Sequence, residues 1–280
     1  MLHFTARFAI SLLILAGLLI GSAFAQEAGE NEQLRKARLS VMQQAAGKFK
    51  VARADGGKPP VFGSQPILRY SDPTRAAPGA NGLLDATVWR LGEKGRPAGL
   101  LTMEIYDHSP ETAILSYELA SLADAELSVS HADQKELAWQ MPGKGLTLRP
   151  LADAARPAET PAARLGQMRQ LTRRFKVSES YQGVTVECRL LAQPIDRYQS
   201  DDDQVVDGAL FAFANGTNPE IGVLIECNKA AWSYGLARLS AADSKVELDG
   251  REVATFPAGD FRLQKQGNYL NYNHTIPTPK

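Results

Sequence analysis

Charged residues that recur in matched pairs are the first candidates for chemistry in this chain. Arg69 and Arg197 each stand before a tyrosine, and Glu104 and Glu226 each follow an aspartate, Asp85 or Asp207. Carboxylate pairs such as Asp85 with Glu104, or Asp207 with Glu226, could do acid–base work of the hydrolase type if a cleft shifted their protonation. Arg69, Arg197, Glu104 and Glu226 could instead be equivalent ligand-contacting charges. A third use is structural, in which each fixes strand register through an ion pair or backbone hydrogen bonds. Repeats tend to keep scaffold features, which favours the third use.

The remaining reactive residue types form weaker sets. Glu104 and His108 have metal-ligand spacing for a helix, but their segment reads as a strand ending in a turn, so no metal site is expected there. His131 reads as a surface residue near a hairpin turn, and His274 falls in the tail. No nucleophile elbow of the G-x-S-x-G kind is present. Asp201-Asp202-Asp203 with Asp207-Gly208 lacks the alternating oxygens of a calcium loop. Asn215-Gly216-Thr217 and Asn273-His274-Thr275 fit a glycosylation pattern, and the match is read as coincidence. Cys188 and Cys227 lie on the apolar phase of two strand-like segments. They either form a disulfide or remain two buried thiols held apart by an intervening strand over 209–214. No cofactor is implied. Trp89, Trp139, Trp232, Tyr70, Tyr117, Tyr198 and Tyr234 read as packing residues.

The elements that must position these residues repeat. Met42 to Val51 matches Met168 to Val177, and Gln65 to Tyr70 matches Gln193 to Tyr198. Asp85, Pro97 and Glu104 match Asp207, Pro219 and Glu226, and Ser116-Tyr117 matches Ser233-Tyr234, all in the same order. A helix opens each copy: Leu39, Met42, Ala45 and Phe49 form one apolar stripe, and Leu165, Met168, Leu171 and Phe175 form the other. Thr160 and Pro161 suit the start of the second helix, and Arg164, Arg169 and Arg173 are placed on its solvated face. Short strands follow, joined by turns too tight for helical crossovers, including an Asp249-Gly250 hairpin. The fold class expected is therefore α+β. It is a tandem duplication in which each copy packs an N-terminal amphipathic helix on an antiparallel meander of about five strands, and the copies form a pseudo-twofold intramolecular dimer. The boundaries expected are a signal peptide over 1–25, copy one over 26–141, a linker over 142–159, copy two over 160–263 and a loosely ordered tail over 264–280.

Composition sets the compartment and excludes some partners. The 280-residue chain is 44% hydrophobic and 22% charged, a globular composition. Lys plus Arg and Asp plus Glu number 31 each; removing residues 1–25 takes away only Arg7, leaving 30 against 31. A near-neutral surface argues against charge-driven binding to nucleic acid. Arg7, the apolar run Phe8 to Ile20 and the small residues before Gln26 form a cleavable leader, and no later stretch reads as a stable membrane span.

The segments RFKVSESYQGVTVECRLLAQPIDRY and VVDGALFAFANGTNPEIGVLIE resemble a family of uncharacterised exported proteins of planctomycete bacteria. The resemblance covers residues 161–260 and extends through the first copy, including Pro66 to Tyr70 and Gly95 to Pro97. It implies a bacterial source and an exported, periplasmic or extracellular location, and it transfers no activity or site residue. Three readings follow. The first is a non-enzymatic binding or cell-envelope assembly protein whose partner is an envelope protein. The second is a periplasmic half-barrel carrier of a small apolar ligand. The third is a hydrolase-type enzyme with a carboxylate site.

Overall fold

The structure is a computed structural model that describes residues 32–72, 81–181, 183–201 and 204–280. The expected signal peptide lies outside the described residues, as do Asp202 and Asp203 of the acidic loop. Residues 42–278 form one compact unit, and the described residues up to Val41 with Pro279 and Lys280 fall in another. In the smaller unit a helical turn carries a Lys36–Glu32 ion pair at 2.7 Å.

A first helix, α1 (32–47), precedes β1 (Phe49–Arg53), β2 (Leu68–Asp72), β3 (Leu83–Leu91), β4 (Gly99–Asp107) and β5 (Thr112–Ser121). Then come β6 (Leu127–His131), β7 (Trp139–Met141), the short β8 (Arg149–Pro150) and α2 (Pro161–Thr172). The second half holds β9 (Phe175–Tyr181), β10 (Val184–Leu190), β11 (Asp196–Ser200), β12 (Val205–Asn215) and β13 (Asn218–Cys227). It ends with β14 (Trp232–Arg238), β15 (Asp243–Leu248), β16 (Arg251–Phe256), β17 (Leu263–Gln266) and β18 (Tyr269–Pro277).

The expected α+β tandem of helix-on-sheet units is overturned. The described residues are mostly β, with 51% strand against 13% helix, two α-helices, and large antiparallel sheets that include a half-barrel. The strands form a three-stranded sheet β1-β6-β7, a six-stranded sheet β17-β18-β5-β4-β3-β2, and a nine-stranded sheet β16-β15-β9-β10-β12-β13-β14-β8 in which β11 also pairs with β12. Open sheet edges explain much of the difference. An edge strand presents unpaired backbone groups that another strand can satisfy. The outer edge of β5 is taken by β18, drawn from the expected tail, and the outer edge of β14 is taken by Arg149 and Pro150, drawn from the expected linker. The helices are also shorter than their apolar steps suggested, because Phe49 and Phe175 open strands instead of closing helices.

α2 begins as its sequence requires. Thr160 Oγ1 accepts from the Ala163 amide at 3.3 Å, and Pro161 occupies the first turn, where its missing N–H costs nothing. Met168 and Leu171 are buried against Phe211, Phe213, Val223 and Ile225, whose strands α2 covers. The expected solvated arginine face is corrected at Arg164, which is buried.

Two four-stranded meanders keep the same register even though the surrounding architecture differs. Arg69 stands opposite Thr87 and Tyr70 opposite Ala86, just as Arg197 stands opposite Ala209 and Tyr198 opposite Gly208. Glu104 pairs with Ala86 and Ser116; Glu226 pairs with Gly208 and Ser233. The two meanders meet along a seam where Leu100, Leu122 and Leu146 pack against Leu210, Leu224, Ala237 and Leu239. Each such buried leucine contributes roughly 1.5–3 kcal/mol through lost water contact.

The C-terminal strand tests this architecture directly. Leu270 pairs with Leu119 and has no exposed surface. Leu270→Ala should lower unfolding free energy by about 2–5 kcal/mol in denaturant titrations. A loosely held tail would tolerate the change.

Candidate functional site

The alternation of a strand divides each Arg–Tyr dipeptide between two faces of its sheet. Arg69 turns to the face that carries Thr87 and Asp85, and Tyr70 to the face that carries Ala86 and Glu104. Arg197 and Tyr198 divide in the same way toward Asp207 and Glu226. Asp85 and Glu104 therefore lie on opposite faces, as do Asp207 and Glu226. Neither couple can share a substrate, so the paired-carboxylate arrangement considered from sequence does not exist.

On one face, arginine saturates aspartate. Arg69 Nε donates to Asp85 Oδ1 at 2.9 Å, and its Nη2 reaches Oδ2. Arg197 Nε and Nη2 donate to Asp207 Oδ1 and Oδ2 at 2.9 and 2.7 Å, and Nη2 also donates to the Pro161 carbonyl. Arg164 adds a second cation, donating from Nε to Asp207 Oδ2 at 2.9 Å and from Nη1 to the Ala158 and Glu159 carbonyls. These bonds tie α2 to β11 and β12. Bidentate geometry of this kind is strong and directional. The same bonding raises the Arg69 and Arg197 guanidinium pKa values above the ordinary arginine value.

On the seam face, glutamate meets tyrosine. Tyr198 donates to Glu226 Oε1 at 2.7 Å, and Arg96, in the β3–β4 turn of the other meander, grips Glu226 through Nε and Nη2 at 2.7 Å each. Gly208 makes room for this contact, since a Cβ there would sit 2.5 Å from the Tyr198 ring. The sequence match of Pro97 to Pro219 places Asn218 where the first meander has Arg96. The Tyr70 hydroxyl lies 2.9 Å from Asn218 Oδ1 and 3.0 Å from Glu104 Oε1, while Tyr106 donates to Glu104 Oε2 at 2.7 Å. Burial is the main cause that pushes both the Tyr70 and Tyr198 hydroxyls well above the ordinary tyrosine value.

Glu104 and Glu220 each act on Glu118, and all three carboxyls are buried. Burial, with Glu104 and Glu220 adding to it, raises the Glu118 carboxyl well above the usual carboxylate range; Arg238 and the Ala241 amide oppose the shift. Sequence reasoning missed Glu118 and Glu220 because each sits in an otherwise apolar strand with no motif around it. One cue was present: Glu118 is two residues from Ser116, hence on the same sheet face as its partner Glu104.

The other candidates fall elsewhere. Cys188 and Cys227 are buried thiols that form no disulfide with each other, and β12 lies between their strands. Cys188 sits near the Asn215 end of β12 and Cys227 opposite Asp207, so ~26 Å of strand separates their levels, far beyond disulfide reach. Burial raises the Cys227 thiol to about 11. His131 is buried rather than superficial: it packs edge-on to Phe49 and against Tyr117, whose other neighbour is a stacked His274. Desolvation lowers both imidazoles, favouring their neutral forms. His108 is exposed, and no group of metal-ligating residues forms among the described residues. The Asn215 amide nitrogen donates to Glu179 at 2.7 Å.

An apolar carrier needs an enclosed cavity. The face of the nine-stranded sheet under α2 is filled by Met168, Leu171, Phe175 and their neighbours. Two clefts among the described residues are open and mixed in chemistry: one of 500 Å³ beside Phe49, Phe62 and Trp89, and one of 700 Å³ whose Arg53 and Arg96 are paired with Asp55 and Glu226.

No protein-family profile, curated protein or solved structure matches the chain.

The buried ion pairs have a measurable consequence. Arg96→Met should cost about 3–5 kcal/mol in unfolding free energy, because it strands the Glu226 charge. Adding Glu226→Gln should recover more than half of that loss in a double-mutant cycle. A purely ligand-binding Arg96 would leave stability unchanged.

Proposed function

We propose that this protein is a non-enzymatic, exported binding or cell-envelope assembly protein that takes an extended segment of an envelope protein as its partner. The carrying observation is the edge of β10. Residues 184–188 pair with β9 on one side, whereas β12 meets β10 only at Arg189 and Leu190, and among the described residues no strand pairs with 184–187 on the other side. Val184 and Val186 there are 63% and 39% exposed, beside a Tyr181 ring that packs on Phe261. An unpaired backbone edge flanked by β-branched side chains selects another strand, because backbone hydrogen bonds supply affinity and alternate side-chain pockets supply specificity. The interior engagement of Asp85, Glu104, Asp207 and Glu226 supports a scaffold role for those residues over a catalytic one.

Export rests on the leader-like N-terminus and on the resemblance to exported planctomycete proteins. The mature chain purified from an envelope-bearing host should begin at Gln26 by N-terminal sequencing. An intact Met1 in a cytoplasmic fraction would sink the export reading.

The docking edge is tested by placing a photoreactive side chain at position 184 and, as a control, at exposed position 58. A discrete cross-linked partner is expected from 184 alone, lost when Val186→Asp is added while the circular dichroism spectrum is unchanged. Equal products from both positions, or none from either, would remove β10 as the binding edge.

A further inference from the structure

We propose that the cleft between β1 and residues 60–64 is a strand-docking site. Its occupant is an extended segment of another polypeptide, with apolar residues at alternate positions and an acidic residue between them. The site is separate from the β10 edge and does not depend on what docks there.

The internal repeat shows why the cleft exists. β1 begins Phe49-Lys50-Val51 and β9 begins Phe175-Lys176-Val177, so the two are equivalent strands. β9 lies inside its sheet, with β15 on one side and residues 184–188 of β10 on the other. The chain then passes to β12, where the Leu191 amide donates to the Ala212 carbonyl at 2.9 Å. The first half reproduces only that last step: the Gly63 amide donates to the Arg90 carbonyl at 3.1 Å, and Phe62 stands opposite Leu91. Where β10 has Val184 to Cys188, the first half has Gly56-Gly57-Lys58-Pro59-Pro60. Proline brings no N–H to a ladder and glycine weakens a strand, so no counterpart of β10 forms. β1 is left at the edge of its three-stranded sheet. The gap is the cleft of 500 Å³, with Phe49, Lys50 and Val51 on one wall and residues 60–64 on the other.

The second argument is the backbone that faces this gap. The Ala132 amide donates to the Lys48 carbonyl at 3.1 Å, and the Ala54 amide donates to the Glu126 carbonyl at 3.0 Å. In an antiparallel pair that pattern directs the groups of Lys50 and Ala52 to β6 as well. The N–H and C=O of Phe49 and Val51 therefore turn to the cleft. Across it, Val61 and Gly63 spend their backbone groups on Gly92 and Arg90 of the β3 side, which turns those of Phe62 inward. Among the described residues no strand pairs with β1 on this side. Such an edge selects an added strand, whose backbone supplies the missing partners.

Side chains set the chemistry of the occupant. Phe49 is buried and meets Phe62 edge-on at 5.6 Å; Val51, on the same face, is half-buried; Lys50, on the other face, is exposed. Directly opposed residues of an antiparallel pair share a face, so apolar side chains suit the positions opposite Phe49 and Val51. Among the described residues lining the cleft, Lys50 is the only ionisable one, and it has no ion pair. A carboxylate opposite it is the complement. The free edge of β10 in a second copy does not fit this description. Its outward backbone groups belong to Thr185 and Glu187, which would set a hydroxyl and a charge against Phe49 and Val51.

The test uses two short synthetic peptides of alternating valine and threonine, in which glutamate replaces the central threonine of one and lysine that of the other. Each is titrated at low salt onto the full chain carrying Val186→Asp, so that the β10 edge contributes nothing and failure here is distinguishable from failure there. The glutamate peptide should bind about fivefold more tightly than the lysine peptide. Lys50→Glu should reverse that order. Val51→Pro should abolish binding, because it removes an amide that faces the cleft and leaves the ladder to β6 intact. In the wild type, the glutamate peptide should slow hydrogen exchange at the Phe49 and Val51 amides and leave Lys50 and Ala52 unchanged; this pattern decides if Val51→Pro does not fold. No binding, equal binding of the two peptides, or binding indifferent to Val51→Pro would overturn the site, as would exchange unaltered at Phe49 and Val51.

Discussion

Removing a carboxylate from water is tolerated only where fixed donors or a cation replace the lost hydration. That constraint runs through the centre of this protein, where two β-meanders press together over a leucine-rich seam that also contains Glu104, Glu118, Glu220 and Glu226. The meanders solve the problem reciprocally. Each sends the hairpin turn after its second strand into the other: the β3–β4 turn delivers Arg96 to Glu226, and the β12–β13 turn delivers Asn218 to Tyr70 and thence to Glu104. The seam is therefore specified by polar groups as well as by apolar area, and sliding one sheet along the other would strand a buried charge.

The two sides of this exchange differ. Around Glu226 the charges balance and every carboxylate oxygen has a donor. Around Glu104 a neutral amide has replaced the arginine, and two further glutamates crowd the site. The first arrangement is a rivet. The second is more crowded, and burial together with the neighbouring glutamates favours the protonated form of Glu118.

Much of this was legible in the residues. The matched order of Arg-Tyr, Asp, Pro and Glu pointed to two meanders in one register, and the register is shared because a strand has a period of two and each dipeptide must split between faces. That Asp85 and Glu104 face apart follows only from the register of β3 and β4, in which Ala86 and not Asp85 stands opposite Glu104. Thr160 and Pro161 marked the start of α2 through local backbone chemistry alone. Glu118 and Glu220 were invisible as a pair, since nothing local links them.

What the sequence determined by itself was whatever depends on neighbours along the chain: the helix cap, the turns, the alternation of each strand and the duplicated order of charged residues. Tertiary structure decided the rest. It gave the edge of β5 to the C-terminal strand and the edge of β14 to Arg149 and Pro150. It turned Arg164 inward to Asp207, set the cysteines far apart, and gathered three glutamates from three strands. The reason is that edge pairing and charge burial are settled by which surfaces come to face each other, and residues far apart in sequence carry no local sign of the partner that will satisfy them.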